Sequence, residues 1–427
     1  MKFNADFSKI AKTLSENGFS LYPHQKKGVQ WLLKMERNGT GGILADDMGL
    51  GKTIQIISML IARQVKTTLI VVPASLVTQW KLEIKKFYPG INLVVHWGDS
   101  RINNGTTDKI TKVHSSIVLT SYNLISSISS ISFDRIICDE AHVFRNRKSK
   151  VFKTLYNIRC PIKWAITGTP IQNYKSDIET IFRYIGISQD SLEDNISRYV
   201  LRRTKQKVGI ELPEIKISVN FTGFKSQDDS RFYEHIMNSP YIHHLEKCLR
   251  LRQICVMPES IKKTLSSRND DYREYKTLNY KKLDRIVKYI KKNKEEKPIV
   301  FSYFKHEIEY LQSKLKEYNV GVIYGPTPPE KRSNIIQDKT KEILLIQIIA
   351  GGTGLNLQHF NTIYFTAPQW NPTIEQQAIA RVHRIGQKTP VKIRRFILGN
   401  IKIGTIENRI LDIQKKKLEM INGYLQD

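Results

Sequence analysis

Short apolar runs alternate with amphipathic stretches through the first half of this chain. Several runs are apolar throughout, as expected of parallel strands that are buried on both faces. Amphipathic stretches such as Thr53–Arg63 and Leu76–Phe87 lie between them and predict helices. This alternation predicts an α/β domain. The predicted strands are Ile43–Ala45, Thr68–Val72, Ser116–Thr120, Arg135–Cys138 and Trp164–Thr167.

The alternation stops after about residue 200, where the segment RRTKQKVGIELPEIK (202–216) is basic and contains a proline. The pattern from there to about residue 262 predicts helices. A polar run, SSRNDDYREYK (266–276), then predicts an exposed joint. We therefore expect a basic linker and helical protrusion over residues 201–275, after a first domain over residues 1–200.

A second α/β series fills residues 276–427. Its first helix places Leu283, Ile286, Val287 and Ile290 on one face. A C-terminal amphipathic helix is predicted to turn Lys415–Lys417 outward. The residues that this last helix turns inward are Ile406, Ile410, Ile413 and Ile421. The predicted strands are Ile299–Tyr303, Val320–Tyr324, Ile343–Ile346, Thr362–Phe365 and Val391–Ile397.

Charge is the most informative feature of the composition. The chain has 427 residues and a formal net charge of +28, which favours a polyanionic partner such as nucleic acid. Its four cysteines form no C-x-x-C pair, so no zinc site is predicted. No apolar run reaches the roughly 18 residues that cross a bilayer. We expect a soluble intracellular protein with no membrane partner. The cysteines are Cys138, Cys160, Cys248 and Cys255.

The stretch ILADDMGLGKTIQ (43–55) is similar to the phosphate-binding pattern G-x-x-x-x-G-K-[ST], with Asp46 in place of the first glycine. A strand precedes it and a helix follows it, as that pattern requires. Gly49 and Gly51 let the backbone turn its N–H groups toward phosphate. Lys52 is predicted to reach the β- and γ-phosphates of ATP, and Thr53 to bind Mg²⁺. The predicted ATP contacts in this loop are Asp46, Asp47, Met48, Gly49, Leu50, Gly51, Lys52 and Thr53.

The second acidic motif, RIICDEAH (135–142), ends an apolar strand. The carboxyl end of a strand is where a doubly wound sheet binds its ligands. Asp139 suits a Mg²⁺ ligand, directly or through water. Glu140 suits the polarisation of an attacking water molecule. An acidic strand end is common by itself, but together with the phosphate loop it predicts ATP hydrolysis.

The third motif, QQAIARVHRIGQ (376–387), carries Arg381 and Arg384 three residues apart, which predicts one shared helical face. Two guanidinium groups there could neutralise the charge of the γ-phosphate. Because this motif lies in the second predicted domain, the catalytic site would be divided between the two domains. The alternative is a solvated basic helix.

Together these motifs resemble those of the Swi/Snf-type ATPases, a branch of the superfamily-two helicases that moves along double-stranded DNA. The likeness extends from about residue 19 to 420, and the order and spacing of its motifs are specific. Further stretches that carry it are LYPHQKKGVQWL (21–32), VVPASLVTQW (71–80), LTSYNLI (119–125), ITGTPIQN (166–173), LRRTK (201–205), LRQICVMP (251–258), AGGTGLNL (350–357) and TIENRI (405–410).

The resemblance implies two RecA-like lobes with parallel sheets, a helical segment joining them and a closing C-terminal helix. It implies that ATP hydrolysis in the cleft between the lobes moves a monomeric motor along duplex DNA. Gln25 is implied as the adenine-reading residue. The residues implied or considered as DNA contacts are Ser75, Thr120, Ser121, Thr169, Gly352 and Trp370, the last of which could instead pack in the core.

The sequence departs from the family pattern at Ile349, where the family usually has Lys or Arg, and at Ala380, where it usually has Asp. Ile348 stands where the family commonly has a small or polar residue, and Asp47 replaces the usual Glu, which is a milder change. These changes put the coupling to DNA in question and leave the hydrolytic residues intact. The length leaves no room for an additional chromatin-binding module, so we expect a bare motor core. Its location would be the nucleus or a cytoplasmic viral replication site.

Two other functions fit the same motifs. A strand-separating helicase would need a wedge between the strands, and a fork-unwinding assay distinguishes it. A DNA-binding scaffold with weak ATPase activity would have lost hydrolytic residues, whereas Lys52, Asp139 and Glu140 are present. The complex that the motor would remodel, whether a nucleosome, a polymerase or another DNA-bound protein, is left open by the sequence.

Overall fold

The computed structural model describes residues 2–98, 116–171, 175–187, 191–266, 272, 274–275, 278–351, 355–399 and 404–425. The chain forms two compact units, Met1–Glu211 and Leu212–Asp427. Each described unit contains a parallel sheet with flanking helices, which confirms the predicted α/β class. Among the described helices, none is long and apolar enough to cross a membrane.

The first unit contains a sheet of seven described strands in the order β3-β4-β2-β5-β6-β1-β7, and every pairing is parallel. The central strands β2 and β4 are buried at every position, as their apolar sequences predict. The strands are β1 (Gly42–Leu44), β2 (Thr67–Val72), β3 (Asn92–His96), β4 (Ser116–Ser121), β5 (Arg135–Asp139), β6 (Ile162–Ile166) and β7 (Val200–Leu201).

After two N-terminal helices, the helices of this unit lie between its strands. They are α1 (Lys2–Glu16), α2 (Pro23–Arg37), α3 (Lys52–Ala62), α4 (Val77–Phe87), α5 (Lys150–Asn157), α6 (Lys175–Tyr184) and α7 (Leu192–Tyr199). Short 3₁₀ turns follow three of the strands, at Ala74–Leu76, Ile125–Ile128 and Ala141–Phe144.

The second unit contains a sheet of six described strands in the order β10-β11-β9-β12-β13-β8, again with parallel pairing throughout. The strands are β8 (Ile215–Thr222), β9 (Pro298–Ser302), β10 (Val320–Ile323), β11 (Ile343–Gln347), β12 (Thr362–Phe365) and β13 (Val391–Leu398). The helices are α8 (Gln227–Asn238), α9 (His244–Ile254), α10 (Pro258–Ser266), α11 (Lys281–Lys292), α12 (Lys305–Lys314), α13 (Pro329–Gln337), α14 (Ile348–Gly351), α15 (Pro372–Val382) and α16 (Ile406–Leu425).

The edges of both sheets differ from the sequence prediction. Strands β3 and β7 were not predicted, and the expectation of helices from residue 216 onward is wrong for β8. All three strands lie at a sheet edge. Their side chains are largely exposed or half-buried, so they lack the continuous apolar run that marked the central strands. The helices α8, α9 and α10 confirm the rest of that stretch.

Most of the predicted exposed joint at residues 266–276 lies outside the described residues. Tyr272 and Tyr275 within it are buried, and their rings lie 6.2 Å and 5.1 Å from the ring of Phe232. The prediction of exposure is therefore wrong at these two tyrosines. The polar neighbours in the sequence concealed two residues that belong to the core of the second unit.

A buried carboxylate ties α2 to the first sheet. Glu36 has no exposed surface, and it accepts hydrogen bonds from Arg135 Nε at 2.6 Å and Nη2 at 2.5 Å. The indole Nε1 of Trp164 donates to the same carboxylate at 3.0 Å. Arg63 lies 3.3 Å away at the surface. Because α2 also carries residues of the site described below, this network fixes one wall of that site.

A second buried ion pair anchors the C-terminal helix in the second unit. Lys282 Nζ donates to Glu407 Oε1 at 2.5 Å, and neither side chain is exposed. Burial raises the pKa of Glu407, which also accepts a hydrogen bond from Leu398 N at 2.7 Å. Ile406 and Ile410 are buried beside this pair, as the sequence predicts. The side chain of Ile421 lies outside the described residues.

We expect Glu36→Gln to destabilise the first unit, because it leaves the buried guanidinium of Arg135 without its countercharge. The loss should be about 3 kcal/mol. Urea unfolding followed by tryptophan fluorescence measures it, since four of the five tryptophans (Trp31, Trp80, Trp97 and Trp164) lie in this unit. The matched control is Asp6→Asn, which breaks a partly exposed ion pair with Arg37 and should cost less than about 1 kcal/mol. Equal losses from the two variants would contradict this assignment.

Candidate active site

The loop between β1 and α3 has the backbone of an anion-binding site. Gly49 and Gly51 adopt positive φ values of 93° and 79°, which glycine tolerates and other residues rarely adopt. Gly51 caps α3, whose first residue is Lys52. The unpaired N–H groups and the positive dipole end of α3 therefore face the loop. Thr53 lies in the first turn of the same helix, as the metal prediction requires.

Lys52 is held inside the loop by the carbonyl groups that precede it. Its Nζ donates to Asp46 O at 2.7 Å and to Asp47 O at 3.4 Å. Burial lowers the pKa of Lys52, while the negative charges of Glu140, Asp46, Asp139 and Asp47 act in the opposite direction. The ammonium group is thus fixed near the two carboxylates of the second acidic motif.

The side chain of Asp46 does not face a ligand. It is fully buried, and Arg203 Nε donates to its Oδ1 at 2.9 Å while Arg203 Nη2 donates to its Oδ2. Gln55 Nε2 donates to the same Oδ2 at 3.1 Å. Any contact of Asp46 with ATP would therefore be made by its backbone. The aspartate that replaces the first glycine of the pattern has a structural partner of its own.

Gln25 joins α2 to the phosphate loop. Its Nε2 donates to Leu50 O at 3.3 Å, and its Oε1 accepts from Tyr22 N at 3.0 Å. The ring Nε2 of His24 lies 3.1 Å from Leu50 O as well, and burial lowers the pKa of this histidine. The ring of Tyr22 stacks on that of His24 and remains half exposed. The predicted adenine-reading residue thus lies next to the phosphate loop.

Asp139 and Glu140 lie at the carboxyl end of β5. Trp80 Nε1 donates to Asp139 Oδ2 at 2.7 Å, and Glu140 N donates to Asp139 Oδ1 at 2.9 Å. The hydroxyl of Tyr122 donates to Asp139 O at 2.6 Å. Burial, followed by the charge of Glu140, raises the pKa of Asp139 to about 6. Two N–H donors, Trp80 Nε1 and Glu140 N, therefore orient the carboxyl group, and the Tyr122 hydroxyl fixes the backbone that carries it.

Glu140 is the only non-glycine residue with a positive φ in the described part of the chain, at 51°. Such a backbone conformation costs about 1 kcal/mol or more for a residue with a side chain. Its Oε2 lies 3.3 Å from Nδ1 of His142. Strain of this kind persists where the surrounding structure imposes it, and it is common at active sites. The turn places Glu140 directly after the strand that carries Asp139.

The residues present fit a magnesium ion that is shared with phosphate oxygens. Mg²⁺ is usually held by one or two protein oxygens together with water and substrate phosphates. Asp139, at a strand end, and Thr53, in the first turn of α3, would supply the protein oxygens. Within the described residues there is no group of three or more His, Cys, Asp or Glu that could hold a metal without such help.

A glycine that the sequence analysis did not single out closes the loop from the side of β6. A Cβ atom at Gly168 would lie 3.1 Å from the side chain of Met48 and 3.6 Å from Lys52 Nζ. The backbone of the ITGTP segment therefore lies close to the phosphate loop and leaves little room for a side chain at residue 168. Thr169 N, next in the chain, donates to Thr167 Oγ1 at 3.1 Å. The only sign of this contact in the sequence is that Gly168 lies within the ITGTPIQN stretch (166–173).

The prediction that Arg381 and Arg384 share one helical face is wrong. The helix α15 ends at Val382, and His383 leaves the helical region with ψ 80°. The ring Nε2 of His383 lies 2.8 Å from Pro213 O. Arg384 belongs to the turn that follows, and Gly386 there adopts φ 100°. The spacing of three residues therefore does not align the two guanidinium groups.

The two residues of the second unit that depart from the family pattern, Ile349 and Ala380, differ in burial. Ile349 is 59% exposed, whereas its neighbour Ile348 is buried in the core. A Lys or Arg at residue 349 would thus reach solvent, and an apolar side chain in its place gains nothing from burial there. Ala380 is half-buried within α15.

The residues predicted to contact DNA differ in their exposure to solvent. Thr120 and Ser121 are fully buried, and Thr120 Oγ1 donates to His96 O at 3.1 Å. Neither hydroxyl group reaches the protein surface in this structure, and the prediction that the two residues contact DNA stays a prediction. Ser75 is exposed in the turn after β2, and Thr169 is buried. Trp370 is partly buried against the core of the second unit. Gly352 lies outside the described residues.

Three further residues of the site escaped the sequence analysis. Trp80, Gln55 and Arg203 each bond to an acidic side chain that it had identified. Trp80 and Arg203 lie within the VVPASLVTQW and LRRTK stretches, but nothing in those stretches indicates which acidic partner they have. Such pairings over long separations in sequence become visible only in the folded chain.

Two family profiles match the chain. The one described as SNF2-related domain matches residues 24–191, and the one described as helicase conserved C-terminal domain matches residues 281–386. The first covers the phosphate loop and the β5 carboxylates, and the second covers α15 and Arg384. Together they span the motif-bearing parts of both units.

Several proteins of known sequence are similar along nearly the whole chain. An "uncharacterized ATP-dependent helicase" of Mycoplasma pneumoniae is 30% identical over 95% of this chain and 42% of its own length. The "ISWI chromatin-remodeling complex ATPase ISW1" of Saccharomyces cerevisiae is 28% identical over 95% and 40%. A "probable global transactivator" of Orgyia pseudotsugata multicapsid polyhedrosis virus is 26% identical over 94% and 91%. The chain thus spans about two fifths of the length of these two cellular relatives.

We expect Trp80→Phe to weaken Mg²⁺-dependent ATP binding, because Asp139 loses the indole donor that orients it. The Mg²⁺ concentration for half-maximal ATP binding should rise roughly tenfold. Titration of Mg²⁺ at fixed ATP, followed by equilibrium nucleotide binding, measures this change. Trp97→Phe is the matched control, since Trp97 packs on the same core and should leave the Mg²⁺ dependence unchanged. A folded Trp80→Phe variant with the wild-type Mg²⁺ dependence would refute the positioning role.

Proposed function

Because the chain belongs to the SNF2-related family of helicase-like proteins, we propose that it is a DNA-dependent ATPase that moves along double-stranded DNA. One observation carries the catalytic part of this proposal. The phosphate loop follows β1, and the Asp139–Glu140 pair ends β5, two positions away in the same parallel sheet. The carboxyl ends of parallel strands meet at one edge, so the lysine and both carboxylates serve one site.

In this proposal, the site residues of the first unit have different roles in ATP binding and hydrolysis. The N–H groups of Gly49 to Lys52 bind phosphate oxygens, and the Lys52 ammonium binds the terminal phosphates. Asp139 and Thr53 hold Mg²⁺, which when bound neutralises phosphate charge. Glu140 accepts a hydrogen bond from the attacking water and orients it. Gln25 contributes to recognition of the base.

The second unit would supply the positive charge that hydrolysis requires. The proposal assigns to Arg381 and Arg384 the neutralisation of charge on the γ-phosphate, as in other phosphoryl-transfer enzymes. Removal of such an arginine commonly slows hydrolysis by orders of magnitude. Since the two residues do not share a helical face, the proposal allows them different roles, one binding nucleotide and the other contacting the transition state.

Duplex DNA is the partner that the charge of the chain supports. A formal net charge of +28 suits a polyanion, and contacts to phosphate position a protein without reading sequence. Ser75 remains a proposed phosphate contact on the first unit, as do Thr169 and Trp370 near their respective motifs. Because contacts to phosphates do not depend on the identity of the bases, we expect the protein to bind duplexes of different sequence with similar affinity.

The complex that the motor acts on is a finer part of the proposal. We propose that it displaces or remodels a DNA-bound complex, such as a nucleosome or a polymerase, and that it works as a monomer. The named roles of the yeast and viral relatives support this choice. The viral relative, most of whose length this chain spans, further supports action in a nucleus or at a viral replication site.

We expect duplex DNA to raise ATP turnover strongly at low salt. Turnover should fall steeply as salt increases, because binding to DNA phosphates releases counterions. The measurement compares steady-state ATP hydrolysis with duplex, single-stranded, forked and nucleosomal DNA over a salt series. Stimulation by duplex DNA without unwinding of the fork supports the translocase, and unwinding supports a strand-separating helicase.

Lys52→Ala provides the control for this experiment. It should abolish turnover while much of the DNA binding, measured by fluorescence anisotropy, persists. Unchanged turnover on addition of duplex DNA would refute DNA dependence. Survival of hydrolysis in Lys52→Ala would show that the site has been assigned to the wrong loop.

A further inference from the structure

The first half of the phosphate loop is bonded to a distant segment of the chain, residues 201–205. Ala45 N donates to Leu201 O at 2.7 Å, and Asp47 N donates to Arg203 O at 2.9 Å. Lys205 N donates to Asp47 Oδ2 at 3.2 Å. These bonds continue the β1–β7 pairing beyond the strands. The loop therefore rests along residues 201–205 rather than standing free between β1 and α3.

The side chain of Arg203 adds a second set of bonds. Its guanidinium group donates to both oxygens of Asp46, to Gln55 Oε1 at 2.9 Å and to the carbonyl of His24. Three elements are thus joined by one planar group: the phosphate loop, α3 and α2. Only 13% of the Arg203 side chain is exposed, and none of the Asp46 side chain is. A two-pronged pair between buried partners is strongly directional.

The structure also makes room for this group. A Cβ atom at Gly28 in α2 would lie 1.9 Å from Gln55 Oε1 and 2.6 Å from Arg203 Nη2. Neither approach is possible for a residue with a side chain. The absence of a side chain at Gly28 thus lets α2 pack directly on the Arg203–Gln55 contact, which shields the Asp46 pair from water.

The backbone explains why the loop has no need of its first glycine. Within the described residues, Glu140 alone among non-glycines has a positive φ, so Asp46 adopts an ordinary conformation. Asp46 also uses its carbonyl to accept the 2.7 Å hydrogen bond from Lys52 Nζ. A chain of contacts therefore runs from Arg203 to the Asp46 carboxylate, through the Asp46 backbone, to the ammonium of Lys52.

We propose that Arg203 is a positioning residue for nucleotide binding, and that it acts through Asp46 to set the phosphate loop and Lys52. This inference rests on the proposed function, since it takes the loop to bind ATP. It assigns to the LRRTK segment a role within the nucleotide site. Arg203 lies nine residues before Leu212, where the second unit begins. A displacement of residues 201–205 would therefore loosen the loop and lower its affinity for ATP.

Asp46→Gly gives the sharpest test, because it restores the full G-x-x-x-x-G-K-T pattern while it removes the partner of Arg203. If Asp46 merely replaced a glycine, this variant would bind ATP as well as the wild type or better. We expect instead that the KM for ATP rises roughly tenfold, the scale of one lost charged hydrogen-bonded pair, while kcat changes less than about threefold.

A double-mutant cycle requires two further variants, Arg203→Ala and the double variant Asp46→Gly/Arg203→Ala. The double variant should have the KM of Asp46→Gly alone, because Arg203 acts only through a partner that is already absent. It should also melt at a higher temperature than Arg203→Ala, which leaves the buried Asp46 charge unpaired. Lys207→Ala, an exposed change in the neighbouring turn, is the control and should match the wild type in both measurements.

The outcomes separate this inference from the proposed function. Wild-type turnover together with a wild-type KM in folded Asp46→Gly would overturn the inference and leave the ATPase intact. Independent effects, with the KM increases multiplying in the double variant, would overturn it too. If the wild type hydrolyses no ATP under any DNA condition, the proposed function and the nucleotide role both fail. If Arg203→Ala does not fold, Asp46→Gly and the double variant still decide the question.

Discussion

Parallel pairing of β1, β5 and β6 brings the phosphate loop and two carboxylates to one edge of the first sheet. Everything proposed for the site depends on this constraint. The strands are short and apolar, so their ends are the first positions where polar side chains can emerge from the core. Lys52 emerges from the loop after β1, Asp139 from the end of β5, and Gly168 follows β6. The sheet thus sets the distances that the chemistry needs, and the loops supply the reactive groups.

Buried charge is the second constraint, because an unpaired charge inside the core would cost several kcal/mol. In the first unit each fully buried carboxylate described above has an arginine partner, Arg135 for Glu36 and Arg203 for Asp46. Both pairs connect elements that are far apart in sequence and that border the site. Removal of one partner from either pair would leave the other charge buried and uncompensated. Lys52 differs, since neutral carbonyls hold it and carboxylates surround it, which leaves its charge available to phosphate.

The sequence predicted those parts of the fold that a local pattern determines. The buried central strands, the phosphate loop and the Asp139–Glu140 strand end could all be identified because burial on both faces and glycine placement leave local marks. Edge strands such as β8 could not, because their exposed residues do not differ from those of a helix or linker. The helix α15 ends at Val382, and the spacing of Arg381 and Arg384 does not by itself reveal where a helix ends. The resemblance of the LTSYNLI stretch implied DNA contacts at Thr120 and Ser121, but no local pattern showed that the sheet buries both side chains. The partners Trp80 and Arg203 depend on tertiary contacts that no local pattern contains.

The central claim is that ATP hydrolysis at this edge of the sheet moves the chain along duplex DNA without separating its strands. A triplex displacement assay tests this claim most directly, with a labelled third strand bound to a long duplex. The account predicts that wild-type protein with ATP and Mg²⁺ releases the third strand while the duplex stays paired. Glu140→Gln, which should bind ATP but hydrolyse it slowly, should leave the third strand in place. Retention of the third strand by a wild-type protein that is turning over ATP on the same DNA would contradict translocation.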